Sequence, residues 1–171
     1  MHIVTDRLIV RRFKSADWPD VLSYTSDRAT MAYMPDGLFD EEDAMHFVEE
    51  NGGSEARNYA VLLKEGQRLI GHIVFHPWFG DHTYEIGWVI APEFRGHGYA
   101  TEAAQAALQF GFAELRLHRV IATCQPENAA SSRVMEKLGM RREGYFKKCI
   151  PRGDGVWWDE YVYAVLAEDW K

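Results

Sequence analysis

Arg95-Gly96-His97-Gly98-Tyr99-Ala100 lies between an apolar run and an alanine-rich segment. Two glycines let the backbone approach a ligand closely and take dihedrals that other residues resist. A helix opening directly after them offers its unpaired N–H groups and positive dipole end to the loop. A strand, a glycine loop and a helix in this order form a pocket for a phosphate or pyrophosphate. Arg95 adds a local cation for such an anion.

The flanking elements must hold that loop in place. Tyr84–Ile90 reads as the strand leading in, through Ala91-Pro92. Downstream, Ala104, Ala107, Leu108, Gly111, Phe112 and Leu115 recur at helical spacing. Leu8–Phe13 reads as a first strand, and Ser15 as the N-cap of a helix through Trp18, Val21 and Leu22. Asp40–Asp43 opens a second helix that Gly52-Gly53 stops. Tyr59–Lys64 and Leu69–His76 form a hairpin, and Arg119–Cys124 is a further strand. Asn128 caps a helix carrying Val134 and Leu138, with Gly139 just past its end. Two strands close the chain, around Gly144–Ile150 and Val156–Leu166. The pattern is that of a single α/β or α+β domain over residues 1–171 with a mixed sheet.

Composition narrows the function. With 47% hydrophobic and 13% aromatic residues, the chain can fill a substantial core. A net charge of −7 argues against a nucleic-acid surface and is compatible with a cationic acceptor such as an amine. No stretch approaches the roughly 20 apolar residues of a membrane span. The first residues lack an apolar signal core, so a cytoplasmic location is expected. Cys124 and Cys149 are expected to be reduced, buried thiols. His72 and His76 share a strand face about 13 Å apart, too far to share one metal ion. No metal site is expected.

Two nucleotide motifs fail here. Gly96-x-Gly98 is followed by Thr101 where a dinucleotide fold needs a third glycine, and Cys124-Gln125 supplies no acid for a ribose. No Lys-Ser or Lys-Thr closes a Walker loop. Arg95-x-x-Gly98-x-Ala100 instead fits (Gln/Arg)-x-x-Gly-x-(Gly/Ala), and there the chain resembles the GNAT superfamily of N-acetyltransferases. Glu127–Met140 is similar to that family's second conserved block. Thr5–Arg11 and Trp158-x-x-x-Tyr161 resemble the branch that acetylates ribosomal-protein N-termini. The likeness runs from about Thr5 to Trp170.

The resemblance implies a mostly antiparallel sheet of about seven strands, with helices on both faces and a splayed strand pair at the acetyl-CoA site. It implies that Arg95, Gly96, His97, Gly98, Tyr99, Ala100 and Thr101 cradle the pyrophosphate of acetyl-CoA. Main-chain groups of Trp88, Val89 and Ile90 would polarise the carbonyl and bind pantetheine, and Asn128 and Ser131 would complete the cofactor site. Acetyl transfer to an amine needs a base, a polarised thioester, a proton for the leaving thiolate and close approach of both reactants. Glu85, a carboxylate amid an apolar strand, is the candidate base; the structural alternative is pairing with an arginine on a neighbouring strand. Gly87 would leave room for the acyl group or acceptor.

Where many relatives carry a tyrosine acid, this chain has Met135, and Ser131 resembles the serine used instead. Asn128 and Ser131 equally suit simple helix-start chemistry. Trp78, Phe79, Trp157, Trp158 and Tyr161 either line an acceptor groove or pack in core and loops. The acceptor is then a protein N-terminal α-amino group or a small amine such as a polyamine, an amino acid or an antibiotic. A non-catalytic acyl-CoA sensor is the rival of another class. Neither nucleic acid nor membrane is an expected partner, and a homodimer is compatible with the reading.

Overall fold

The computed structural model describes residues 1–170. Among these, eight strands and four α-helices follow in chain order: β1 (His2–Val4), β2 (Leu8–Arg11), α1 (Trp18–Thr25), α2 (Glu41–Glu50), β3 (Asn58–Leu63), β4 (Leu69–Pro77), β5 (Thr83–Ile90), α3 (Tyr99–Ala113), β6 (Arg119–Cys124), α4 (Ala129–Lys137), β7 (Arg141–Pro151) and β8 (Trp157–Leu166). Strand neighbours follow the order β1-β2-β3-β4-β5-β6-β8-β7, mostly antiparallel, with β5 and β6 parallel. The chain gathers into two compact units, one of Met1–His76 with Gly87–Ala107, the other of Pro77–Ile86 with the residues from Leu108 on. β5 and α3 each run from one unit into the other.

In the first unit, Thr5 makes the turn between β1 and β2: its N–H donates to the Leu8 carbonyl (2.9 Å) and its hydroxyl accepts from the Leu8 N–H (2.8 Å). Register and alternation put Leu8 and Val10 on one face of the sheet with Val61, and Ala60 and Leu62 on the other, all five buried. Ala60 and Leu62 join a buried core where Phe13, Val21, Tyr24, Ala44 and Val48 pack with Val89 and Ala91. Each large aliphatic side chain buried there contributes about 1.5–3 kcal/mol. Arg11 forks onto Asp17 with bonds of 2.7 and 2.9 Å, tying the end of β2 to the start of α1.

In the second unit, β6 lies between β5 and β8, with Glu85 opposite Ile121 and Thr123 opposite Val162. β7 returns along β8 as a hairpin with two register shifts. Ile121, Met135, Leu138 and Val165 are buried.

Several expectations change. β1 is an eighth strand; three residues are too few to show a period. Ser15 caps no α-helix: it begins a 3₁₀ turn, Ser15–Asp17, and Asp17 stands at the N-cap of α1. The first long strand stops at Arg11, where the Asp17 pair turns the chain. Leu115 lies beyond the end of α3 and is exposed, so it is no part of that helix's apolar stripe. Cys124 is buried and free as expected, whereas Cys149 is exposed on β7. Within the acidic stretch expected to open α2, Asp40 is its cap and accepts from the Asp43 N–H; Asn128 caps α4 as expected. No described helix is long and apolar enough to cross a membrane.

Candidate active site

The glycine loop opens α3 in the first unit. Gly98 sits at φ +81°, in the left-handed region that a side chain resists. A Cβ there would also meet Arg7 Nη2 at 3.6 Å. Arg7 organises this corner. Its Nε donates to Glu102 Oε2 (2.6 Å), its Nη1 to the His97 carbonyl (3.1 Å), and its guanidinium lies 4.7 Å over the Tyr99 ring. The Thr5 hydroxyl donates to Glu102 Oε1 (2.6 Å), as does the Arg7 N–H (3.1 Å). His97 stacks on Tyr99 with ring centroids 5.7 Å apart.

This arrangement has an electrostatic consequence. Glu102 in the first turn of α3 would by itself repel an anion. Burial pushes its pKa up, but hydrogen bonds from Thr5 and Arg7 and the charge of Arg7 outweigh burial and hold the carboxyl below its usual value. Its charge is thus spent on Thr5 and Arg7, and the first N–H groups of α3 keep their pull on an anion. The loop fits a pyrophosphate.

Arg95 is engaged elsewhere. Its Nε donates to the Ile90 carbonyl (3.0 Å) and its Nη2 to Thr30 Oγ1 (2.7 Å), and the Thr30 hydroxyl donates on to Asp27 (2.6 Å). It is a strut joining the end of β5 to residues 27–30. Val89 and Ile90 are buried and Trp88 is half-buried. The Ala91 N–H donates to the Ile70 carbonyl (2.8 Å), holding the end of β5 against β4. The space beside Gly87 is taken by Val74, which a Cβ would meet at 3.3 Å.

The remaining candidates lie in the second unit. Glu85 is half-buried and accepts from the Thr123 hydroxyl at 3.5 Å. Asn128 Oδ1 accepts from the Ser131 N–H at 3.2 Å, so the helix-start role of this pair is real. The Ser132 hydroxyl donates to the Asn128 carbonyl (3.3 Å) and contacts Cys124 Sγ (3.6 Å). Met135 is 1% exposed and packs in the core.

Trp78, Phe79 and Trp157 are about half or more exposed, at 54%, 79% and 51%, which overturns core packing for these three. Trp158 and Tyr161 are half-buried, with Arg152 over the first ring and Arg142 over the second.

Sequence reasoning missed Arg7, Thr5 and Glu102 as the brace of the glycine loop, because they lie 95 or more residues apart. It also missed Glu160, although an acid within the apolar run of β8 is the same signal that singled out Glu85.

The fold and the loop define a class: a mixed α/β architecture in which a glycine loop opens a helix whose N-terminus suits an anion. The chain belongs to the GNAT family, whose acetyltransferase domain model matches residues 7–141. It is 59% identical over 171 residues to the uncharacterized N-acetyltransferase YnaD of Bacillus subtilis, covering 100% of both chains. A crystal structure of a GNAT-family acetyltransferase from Bacillus anthracis superposes with a TM-score of 0.95 at 59% identity, covering 98% of this chain and 99% of that one. The [ribosomal protein uS5]-alanine N-acetyltransferase of Escherichia coli is 32% identical over 89 residues, 52% of this chain and 45% of that protein. The protein is therefore an acetyl-CoA-dependent N-acetyltransferase with the GNAT fold.

Proposed function

We propose that the enzyme acetylates the N-terminal α-amino group of a protein by direct attack on acetyl-CoA. The observation that carries this reading is the set of exposed apolar side chains in the second unit, Trp78, Phe79, Phe146 and Trp157. An extended peptide can cover such side chains, whereas a small hydrophilic amine cannot. The partial likeness to the uS5-alanine enzyme of Escherichia coli supports it. The acceptor ammonium loses a proton to Glu85, and the neutral amine attacks the thioester carbon. The N–H groups from Gly96 to Thr101 hold the pyrophosphate, and main-chain groups of Trp88–Ile90 bind the pantetheine arm and polarise the carbonyl. Asn128 and Ser131 complete the acyl-carrier site, and Ser131 protonates the departing thiolate. One continuous domain over residues 1–171 carries the reaction.

A small cationic amine is the second reading, favoured by the facing carboxylates Glu85 and Glu160. CoA release measured across peptides with free N-termini and across small amines separates the two. Turnover with peptides at tenfold or greater kcat/KM supports the first, and the reverse ratio overturns it. In the same assay Glu85→Gln binds acetyl-CoA normally and loses most turnover at neutral pH. An unchanged rate removes Glu85 as the base.

A further inference from the structure

In the first unit, the Arg95 side chain closes a ring around the short turn between the end of β5 and the glycine loop. That turn, Pro92–Phe94, is a 3₁₀ turn. The Arg95 N–H donates to the Pro92 carbonyl (3.2 Å), and its Nε reaches back to the Ile90 carbonyl (3.0 Å). Nη2 of the same guanidinium donates to Thr30 Oγ1 (2.7 Å). A guanidinium only donates, so the Thr30 hydroxyl accepts from Arg95 and gives its single proton to Asp27 Oδ2 (2.6 Å). Asp27 Oδ2 also takes the Thr30 N–H (2.7 Å), and the Asp27 carbonyl takes the Met31 N–H (3.1 Å). The anchor is thus a closed turn just after α1. It is seated on the core through Met31 and, at the end of α1, through Tyr24 and Thr25, all buried.

We propose that Thr30 and Asp27 are positioning residues for the acyl carrier: through Arg95 they set the spacing between the end of β5 and the glycine loop. This rests on the reading that Trp88–Ile90 take the pantetheine arm and residues 96–101 the pyrophosphate. Those two parts of acetyl-CoA are joined covalently, so the segments that hold them must stand at one separation. A molecule filling two sites at once gains affinity only when the sites match its span. The Arg95 side chain bonds the last residue of the first segment, and its main chain adjoins Gly96, the first residue of the second. Fixing the guanidinium therefore fixes the span. Gly96 sits at φ +78° with nothing within 4 Å of its Cβ position, so packing does not hold the chain there. Arg7 holds the loop further on, at the His97 carbonyl, and Arg95 holds its near end.

The rival role for Arg95 is a plain charge for the anion. Two of its three guanidinium nitrogens already have protein partners, at 3.0 and 2.7 Å. Asp27 at the end of the chain is the matching counter-charge. Its carboxyl is held below the usual value, first by the Thr30 hydroxyl and then by the Thr30 N–H, with the charge of Arg95 adding to them against burial. The positive charge of Arg95 is thus offset within the fold. A lysine would carry the same charge on one nitrogen without a planar fork, and could not meet Ile90 and Thr30 together in this geometry. The two roles therefore part company at Arg95→Lys.

The test compares the whole ligand with its halves. Thr30→Val and Arg95→Lys each raise the Kd for acetyl-CoA about tenfold in calorimetric titration, whereas Thr30→Ser, which keeps the hydroxyl, holds the wild-type value. Two fragments serve as half-ligands: 3′-phospho-ADP for the pyrophosphate side and acetyl-pantetheine for the thioester side. Each binds every variant within about twofold of wild type, because neither has to span the two segments. Thermal melts confirm that each variant is folded. Fragment affinities that fall by the same factor as acetyl-CoA overturn the proposal, since general loosening would then explain the loss. So does full acetyl-CoA affinity in Arg95→Lys or in Thr30→Val. Amide shifts in ¹⁵N-labelled wild type separate this failure from that of the site reading. If 3′-phospho-ADP moves the amides of residues 96–101 and acetyl-pantetheine those of residues 88–90, yet the variants bind acetyl-CoA normally, only the strut fails. If the fragments move other amides, the site reading fails and the proposal falls with it.

Discussion

Arg7 and Glu102 meet in a charge-assisted hydrogen bond of 2.6 Å that joins the N-terminal segment to the first turn of the helix after the glycine loop. The same guanidinium reaches the His97 carbonyl and covers Tyr99. One side chain thus fixes loop geometry and cancels the charge that would repel a pyrophosphate.

Arg7→Ala leaves Glu102 with an uncompensated charge beside the anion site, and acetyl-CoA affinity should fall about tenfold. Glu102→Gln should weaken it less, and the double variant should recover part of the loss of Arg7→Ala. Isothermal titration with CoA checks this. Arg7 is 48% exposed, so the stability cost is small, roughly 1 kcal/mol. The pH dependence follows from the depressed Glu102 pKa. Its contribution to stability is present above the usual value of 4.5 and is lost as pH falls through the lower folded-state value. The gap between wild type and Glu102→Gln should therefore close on acidification below that point.

Gly71 permits the close approach of β4 to β5. Its φ is +155° and a Cβ would lie 2.1 Å from the Val89 carbonyl oxygen. That oxygen is backbone and cannot swing aside. Gly71→Ala should cost roughly 3 kcal/mol or more and lower Tm by about 10 °C. It should also weaken acetyl-CoA binding, since it displaces Trp88–Ile90. A variant with unchanged Tm would refute the close-approach argument.

His72 is buried against Tyr24, with Nδ1 and the phenol oxygen 2.8 Å apart. Burial lowers its pKa from 6.5 to about 3. The unfolded chain therefore takes up a proton below pH 6.5, while the folded chain stays neutral until far lower pH. Stability is full above 6.5 and falls with acidification between the two values, by at most about 1.4 kcal/mol per pH unit. Urea unfolding at pH 7.5 and pH 5 should show the advantage of wild type over His72→Gln shrinking by roughly 2 kcal/mol. A constant advantage would contradict a buried neutral imidazole.

Local chemistry was legible in the chain itself. Gly96-x-Gly98, the acidic start of α2 at Asp40–Asp43, the capping residue Asn128 and alternation around Glu85 depend on neighbours within a few residues, where backbone dihedrals and period decide the outcome. They fixed the helix that opens the loop, most strand positions and the family. Partnerships across the sequence were decided only by tertiary structure. Arg95 reads as an anion contact beside its glycines, yet strand and loop packing commit it to Ile90 and Thr30. Arg7 reaches Glu102, and Thr123 meets Glu85, across separations of 95 and 38 residues. Side-chain type says which partner a group can accept; only strand order and register say which partner comes within 3 Å or so.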